Sequence, residues 1–143
     1  MRLEAAIQPD EGIYPWIGPG PGDMETAEPS SHAVISVLPM VEAILNDLGS
    51  RTGPGVISAR FHNTISEIIS VTAERISEIS GLRTIALSGG TFQNRYLSGR
   101  VEQKLKEKGY RVLVPLKFPA NDGGLALGQL AVAARQRALG KLI

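Results

Sequence analysis

Isoleucine recurs through the middle of this chain at helical spacing. Ile57, Phe61, Ile65, Ile68, Ile69, Thr72, Ile76 and Ile79 follow one another at steps of one, three or four residues. That period predicts a long amphipathic helix, opened behind the Gly53-Pro54-Gly55 turn and stopped by Gly81. Upstream, Val34-Ile35-Ser36-Val37 predicts a short strand, and Pro39 suits the first turn of a helix running to Leu48 and stopped by Gly49. Downstream, Thr84-Ile85-Ala86-Leu87 predicts a buried strand. Phe92 to Lys108 predicts a helix with Leu97, Val101 and Leu105 on one face, stopped by Gly109. Arg111-Val112-Leu113-Val114 predicts a further strand, and Gly124 to Leu139 a final helix.

The predicted order is therefore β-α-α-β-α-β-α. Helices between strands imply parallel pairing with right-handed crossovers, in an α/β fold with a small mixed or parallel sheet of about three strands. Residues 1–31 stand apart from this regularity. Met1 to Ala6 predicts one or two helical turns, and Tyr14-Pro15-Trp16-Ile17-Gly18-Pro19-Gly20-Pro21-Gly22 then breaks both helix and ladder. The expected division is an irregular Pro/Gly-rich segment over 1–31, in which Tyr14 and Trp16 pin the chain to the body, and an α/β lobe over 32–143.

Composition narrows the class. An apolar fraction of 43% with 20% charged residues fits a globular chain and not a disordered one. No apolar run approaches the roughly 20 residues that span a bilayer, and the N-terminus lacks the layout of a signal peptide, so a cytoplasmic location is expected. A net charge of +1 gives no electrostatic case for nucleic acid. The lysines at 104, 106 and 108 alternate with Glu102 and Glu107 and predict a solvated helix face. With no cysteine, the chain has no disulfide, no thiolate zinc site and no cysteine nucleophile.

Two small-residue turns carry the candidate chemistry. Ser88-Gly89-Gly90 lies between a strand and a helix, where free amides at the helix's positive end could receive a phosphate and Asn94 a base or ribose. A plain tight turn is the alternative, since no Walker A or dinucleotide fingerprint is present. Asn121-Asp122-Gly123-Gly124 repeats the logic with a carboxylate. Asp122 is placed either to cap the last helix or to hold a divalent cation accompanying a nucleotide, and Asn121 supports either role. The third candidate, Arg60-Phe61-His62-Asn63, lies inside the long helix, with His62 and Asn63 on the flank of the apolar stripe. A lone helical histidine more often packs than reacts, and His32 has only serine neighbours. The two histidines are too far apart in sequence for an i, i+4 metal pair.

The strings Leu87-Ser88-Gly89-Gly90-Thr91-Phe92-Gln93-Asn94-Arg95 and Asn121-Asp122-Gly123-Gly124-Leu125-Ala126-Leu127-Gly128-Gln129, preceded by Met1-Arg2-Leu3-Glu4-Ala5 and by Ser58 to Thr64, resemble the C-terminal end of the HypF-type carbamoyltransferases of [NiFe] hydrogenase maturation. The resemblance implies the second lobe of a Kae1-like domain, of the actin-like, RNase-H-like (ASKHA) ATPase fold. It implies ATP or carbamoyl adenylate with a divalent metal as cofactor. Gly89, Gly90 and Asn94 would touch the nucleotide, and Asp122 would be a ligand of the metal. It also implies transfer of a carbamoyl group to a HypE-type partner.

This chain departs from the family's pattern in lacking a pair of histidines four apart and the acylphosphatase, zinc and adenylate-forming modules. It is therefore expected to be incompetent as a carbamoyltransferase alone. Its unpaired lobe is expected to form a homodimer or a heteromeric contact, including with missing HypF modules, and to bind neither nucleic acid nor membrane. A non-catalytic interaction or regulatory module is the alternative. A role in tRNA modification fits less well, given the neutral charge and the Phe92-Gln93 pair inside the turn.

Overall fold

A computed structural model describes residues 2–18, 34–115 and 121–141. Pro19 to Ser31 of the irregular segment, and His32, lie outside the described residues. Five helices and two strands follow in order: α1 (Arg2–Ala5), α2 (Leu38–Gly49), α3 (Pro54–Ser80), β1 (Thr84–Ala86), α4 (Arg95–Glu107), β2 (Arg111–Leu113) and α5 (Leu125–Ala138). None of the described helices is long and apolar enough to cross a membrane.

The fold is α/β, as the pattern predicts, but the sheet is smaller. β1 pairs in parallel with β2 in the register Thr84 to Arg111, Ile85 to Val112 and Ala86 to Leu113. The expected first strand at 34–37 is reduced to one antiparallel bridge between Ile17 and Ser36. Leu38 already begins α2, so too little extended chain remains for a ladder. The helix predicted from Phe92 is also divided: Gly90–Gln93 forms a 3-10 turn, and α4 starts only after Asn94.

The apolar core lies between α3, α4 and one face of the sheet. Leu87, Leu97, Val101, Leu105 and Tyr110 are buried, with Ile65, Ile69, Phe92 and Val112 packed on them. Burying such side chains stabilises by about 1.5–3 kcal/mol each. The ion pairs of Lys104 with Glu67, and of Lys108 with Glu74 at 2.5 Å, also join α4 to α3. Partly exposed pairs of this kind contribute only about 0.2–1 kcal/mol, so burial dominates the α3–α4 contact. The lysines of α4 are thus more than a solvated face. Two of the three reach across to α3, and only Lys106 pairs within its own helix, with Glu102 at 2.6 Å.

α3 departs from its predicted stripe. Ile57 and Ile68 are buried, whereas Ile76 and Ile79 near its C-terminus are exposed. Besides Gly55 and Ala59, its other buried positions are polar: Ser58, His62, Asn63, Thr64, Ser66, Ser70 and Ser77. Several of these hold the N-terminal segment, which runs across α3 in extended form. Ser58 Oγ donates to the Leu3 carbonyl at 2.5 Å. Asn63 Nδ2 donates to the carbonyls of Asp10 and Gly12 at 2.7 and 3.1 Å. Thr64 Oγ1 accepts from the Tyr14 amide at 2.7 Å and donates to the Arg60 carbonyl at 2.7 Å. The approach is close enough to require glycine at 55, where a Cβ would stand 2.6 Å from the Ala6 carbonyl oxygen.

Tyr14 ends this clasp. Its ring is buried, and its hydroxyl donates to Asp47 at 2.7 Å, while Arg60 pairs with the same carboxylate at 2.9 Å. Burial, and then the bond to Asp47, push the Tyr14 phenol up from 10.0 to about 12. The Tyr14 hydroxyl and Arg60 hold the Asp47 carboxyl below its usual range. The two signs oppose one another. The Asp47 contribution is present at neutral pH and is lost as pH falls through its lowered folded-state value. The Tyr14 contribution is complete below pH 10.0 and is lost as pH rises toward about 12. Urea unfolding across the pH range should therefore show stability declining above pH 10.0 in the wild type, with a flatter alkaline limb in Tyr14→Phe.

Candidate functional site

The site begins where β1 ends. The Leu87 amide still donates to the Leu113 carbonyl at 2.9 Å, and the chain then turns at Gly89 with φ 100° and ψ 162°. Only glycine adopts that conformation without strain. The Phe92 amide closes the 3-10 turn onto the Gly89 carbonyl at 3.1 Å. The amides of Gly89, Gly90 and Thr91 have no acceptor among the described residues.

The start of α4 is different. The Arg95 and Tyr96 amides donate to Glu4 Oε1 at 2.7 and 3.3 Å. The Leu97 amide donates to Asn94 Oδ1 at 2.9 Å, and the Ser98 amide to the Asn94 carbonyl at 2.9 Å. All four leading amides of the helix are occupied, and a carboxylate already sits at its positive end. The donors available to an anion are therefore those of the glycine turn, upstream of the helix terminus that the sequence suggested.

Asn94 does more than cap. Its Nδ2 lies 2.7 Å from Nε2 of His62, whose Nδ1 lies 2.8 Å from the Ser58 carbonyl oxygen. His62 is 3% exposed and stands edge-on to the rings of Phe61 and Tyr96. The sequence singled out His62 within Arg60-Phe61-His62-Asn63, but nothing in it paired His62 with Asn94 or Glu4 with the start of α4.

At the second turn, Asn121 takes the capping role, its Oδ1 accepting from the Gly123 amide at 3.0 Å. Asp122 is exposed, and its carboxylate has no hydrogen bond or ion pair among the described residues. An open cavity of about 1080 Å³ separates the two turns. Ser88, Gly89, Pro115, Asn121 and Asp122 line it, together with Leu125, Gly128 and Val132 of α5. The structure thus brings Gly89 and Asp122 to one cavity. Gly90 lies beside its wall, and Asn94 lies away from it, against His62. α5 has no buried residue, and its leucines and valine face outward or into this cavity.

Among the described residues, no group of three His, Asp or Glu side chains could hold a metal ion. Divalent magnesium takes one or two protein carboxylates and completes its shell with phosphate oxygens and water. Asp122 fits one ligand of a shared site and not a resident metal centre.

An α/β lobe that opens two glycine turns onto one cavity, at the carboxyl ends of parallel strands, is placed to receive a ligand at that edge. Comparison with known proteins identifies the class. The family described as "Carbamoyltransferase, Kae1-like Domain, second subdomain" matches residues 1–129, and the chain belongs to it. Among curated relatives, the carbamoyltransferase HypF of Synechocystis is 31% identical over 139 residues, which is 96% of this chain and 16% of that protein. The tRNA N6-adenosine threonylcarbamoyltransferase of Aromatoleum aromaticum is 32% identical over 84 residues, covering 57% of this chain and 25% of the relative. A crystal structure of full-length HypF in the phosphate- and nucleotide-bound form superposes with a TM-score of 0.81 at 32% identity, over 93% of this chain and 16% of that one. The chain is a HypF-type Kae1-like lobe that spans about a sixth of the length of those HypF proteins.

The two residues of the second turn should separate cleanly. Asp122→Ala should leave the melting curve within about 0.5 kcal/mol of wild type. Asn121→Ala should remove the cap of the 3-10 turn Asp122–Gly124 that leads into α5, worth about 1 kcal/mol, seen as faster amide exchange at Gly123 and Gly124.

Proposed function

We propose that this chain supplies one wall of the nucleotide cleft of a HypF-type carbamoyltransferase acting in hydrogenase maturation, and that a complementary lobe closes the cleft. The observation that carries this reading is the convergence of unclaimed backbone amides and an unpartnered carboxylate on one cavity. Gly89 and Gly90 offer amides to phosphate oxygens. Asp122, across the cavity, serves as one ligand of the divalent cation that accompanies those phosphates. Asn94 lies off the cavity, its carboxamide held by His62 and the Leu97 amide, so in this reading it shapes the turn rather than touching the nucleotide. The apolar face of α5 supplies a surface for the flat part of the ligand. The phosphate- and nucleotide-bound state of the similar HypF structure supports the same assignment.

Several features favour dependence on a second body. The cavity is open, so it cannot shield a reactive carbamoyl group from water. The chain adds one carboxylate where a cation needs more. Leu125, Leu130 and Val132 are left exposed on α5 at 58–67%, the kind of surface that lobes and subunits cover. A HypE-type acceptor, a first lobe or a second copy would meet the chain on this side. The same exposed helix favours, as the second reading, an interaction module that keeps the fold without turnover.

Calorimetric titration with magnesium ATP decides between the readings. Wild type should bind weakly, and Asp122→Ala should weaken binding by about tenfold, or about 1.4 kcal/mol. Gly128→Trp should weaken it further by filling the cavity. No atom stands within 4 Å of a Cβ at Gly128, so the fold should accept the change. Absence of binding by wild type, alone and with a complementary lobe added, would exclude the nucleotide reading and leave the interaction module.

A further inference from the structure

A single chain of hydrogen bonds runs from the N-terminal helix to the glycine turn, and its two ends fix every proton between them. At one end is the Leu97 amide, which can only donate, so the atom of Asn94 that faces it at 2.9 Å is oxygen. Nδ2 of Asn94 is then the atom that faces His62 Nε2 at 2.7 Å, and it can only donate. His62 Nε2 must accept. At the far end the Ser58 carbonyl, 2.8 Å from Nδ1, can only accept, so Nδ1 carries the proton. His62 is thereby neutral and of one tautomer. An imidazolium would set two donors against each other at Asn94, or would turn the carboxamide over and leave the Leu97 amide unpaired in a partly buried place, which is costly.

The ring of contacts closes through α1. Ser58 Oγ donates to the Leu3 carbonyl at 2.5 Å, and the next residue, Glu4, accepts from the Arg95 and Tyr96 amides. α1, the first half of α3 and the start of α4 are therefore linked in a closed circuit in which His62 is the one member with two chemically distinct nitrogens. Tyr96 and Phe61 pack edge-on against the imidazole and restrict its rotation. The carboxamide it holds sits directly after the 3-10 turn, with the Asn94 amide donating to the Thr91 carbonyl at 3.2 Å.

We infer that His62 is the positioning residue of the glycine turn: as a neutral, Nδ1-protonated acceptor it fixes the Asn94 carboxamide, and through it the junction of the 3-10 turn with α4. His62 lies away from the cavity and acts only through Asn94. An effect of His62 on nucleotide affinity rests on the nucleotide reading of the cleft, whereas its hold on Asn94 does not.

The first test needs no substitution. Long-range ¹⁵N–¹H correlation on the wild-type chain near neutral pH should show a pyrrole-type Nδ1 and a pyridine-type Nε2 for His62. The opposite tautomer, or two protonated nitrogens, would overturn the inference. The second test compares His62→Gln, whose carboxamide oxygen can replace Nε2 as acceptor, with His62→Leu, which keeps bulk but offers none. With circular dichroism matched to wild type, Leu97 amide exchange should quicken about tenfold in His62→Leu and stay near wild type in His62→Gln. Equal protection in both would overturn it. If wild type binds magnesium ATP, affinity should follow the same order, Gln above Leu. If wild type binds no magnesium ATP, alone or with a complementary lobe added, the nucleotide reading fails, and the tautomer and exchange results still decide the role of His62.

Discussion

The fold depends on the polar face of α3. A helix of 27 residues whose buried positions include a histidine, an asparagine, a threonine and serines would be destabilised unless each polar group found a partner. An unsatisfied buried group costs about 1–3 kcal/mol, more than a typical hydrogen bond returns. The N-terminal segment supplies many of those partners. Asn63 shows how completely. Its Nδ2 takes two carbonyls of the segment, and its Oδ1 accepts from the Tyr96 hydroxyl and from Arg100 Nε, at 3.0 and 3.1 Å. One side chain thus joins the segment, α3 and α4. Ser70 Oγ and Thr72 Oγ1, farther along α3, are buried and have no hydrogen-bond partner among the described residues.

The two faces of α3 therefore have different tasks. The apolar face makes a core with α4 and the two-stranded sheet, and that core carries most of the stabilisation. The polar face fixes position. It ties α1 to the start of α4 and brings Glu4 onto the Arg95 and Tyr96 amides. Filling the helix terminus in this way leaves the glycine turn as the place where backbone donors are still free. The cavity then follows from topology. Both parallel strands end at the same edge, and Ser88 and Gly89, just beyond β1, share the lining of one cavity with Asn121 and Asp122.

Much of this was legible in the sequence, for physical reasons that differ by element. α3, α4 and the strands at 84 and 111 were readable because apolar period, glycine stops and Pro54 all agreed. The split at Asn94 was not, because a 3-10 turn leaves no periodic signature and Phe92 still packs on the core. The strand expected at 34–37 was misread because a β-branched run pairs only when enough extended chain lies beside it. Gly89 and Asp122 were picked out by turn chemistry and by resemblance. His62 was named as a candidate and Glu4 lies in a matching string, but what they hold was not legible, since their partners lie 32 and 91 residues away in sequence. The exposure of α5 was invisible for a related reason: an apolar face looks the same whether its cover lies within the chain or outside it.

The central claim is that the Gly89 and Asp122 turns form two sides of one nucleotide site. Paramagnetic relaxation by manganese ATP, read on the amide signals of the chain with its complementary lobe present, tests it most directly. The account predicts strong broadening of Ser88 to Thr91 and of Asn121 to Leu125 together, with the C-terminal half of α3 unaffected. Broadening of one turn without the other, or centred elsewhere on the chain, would contradict it.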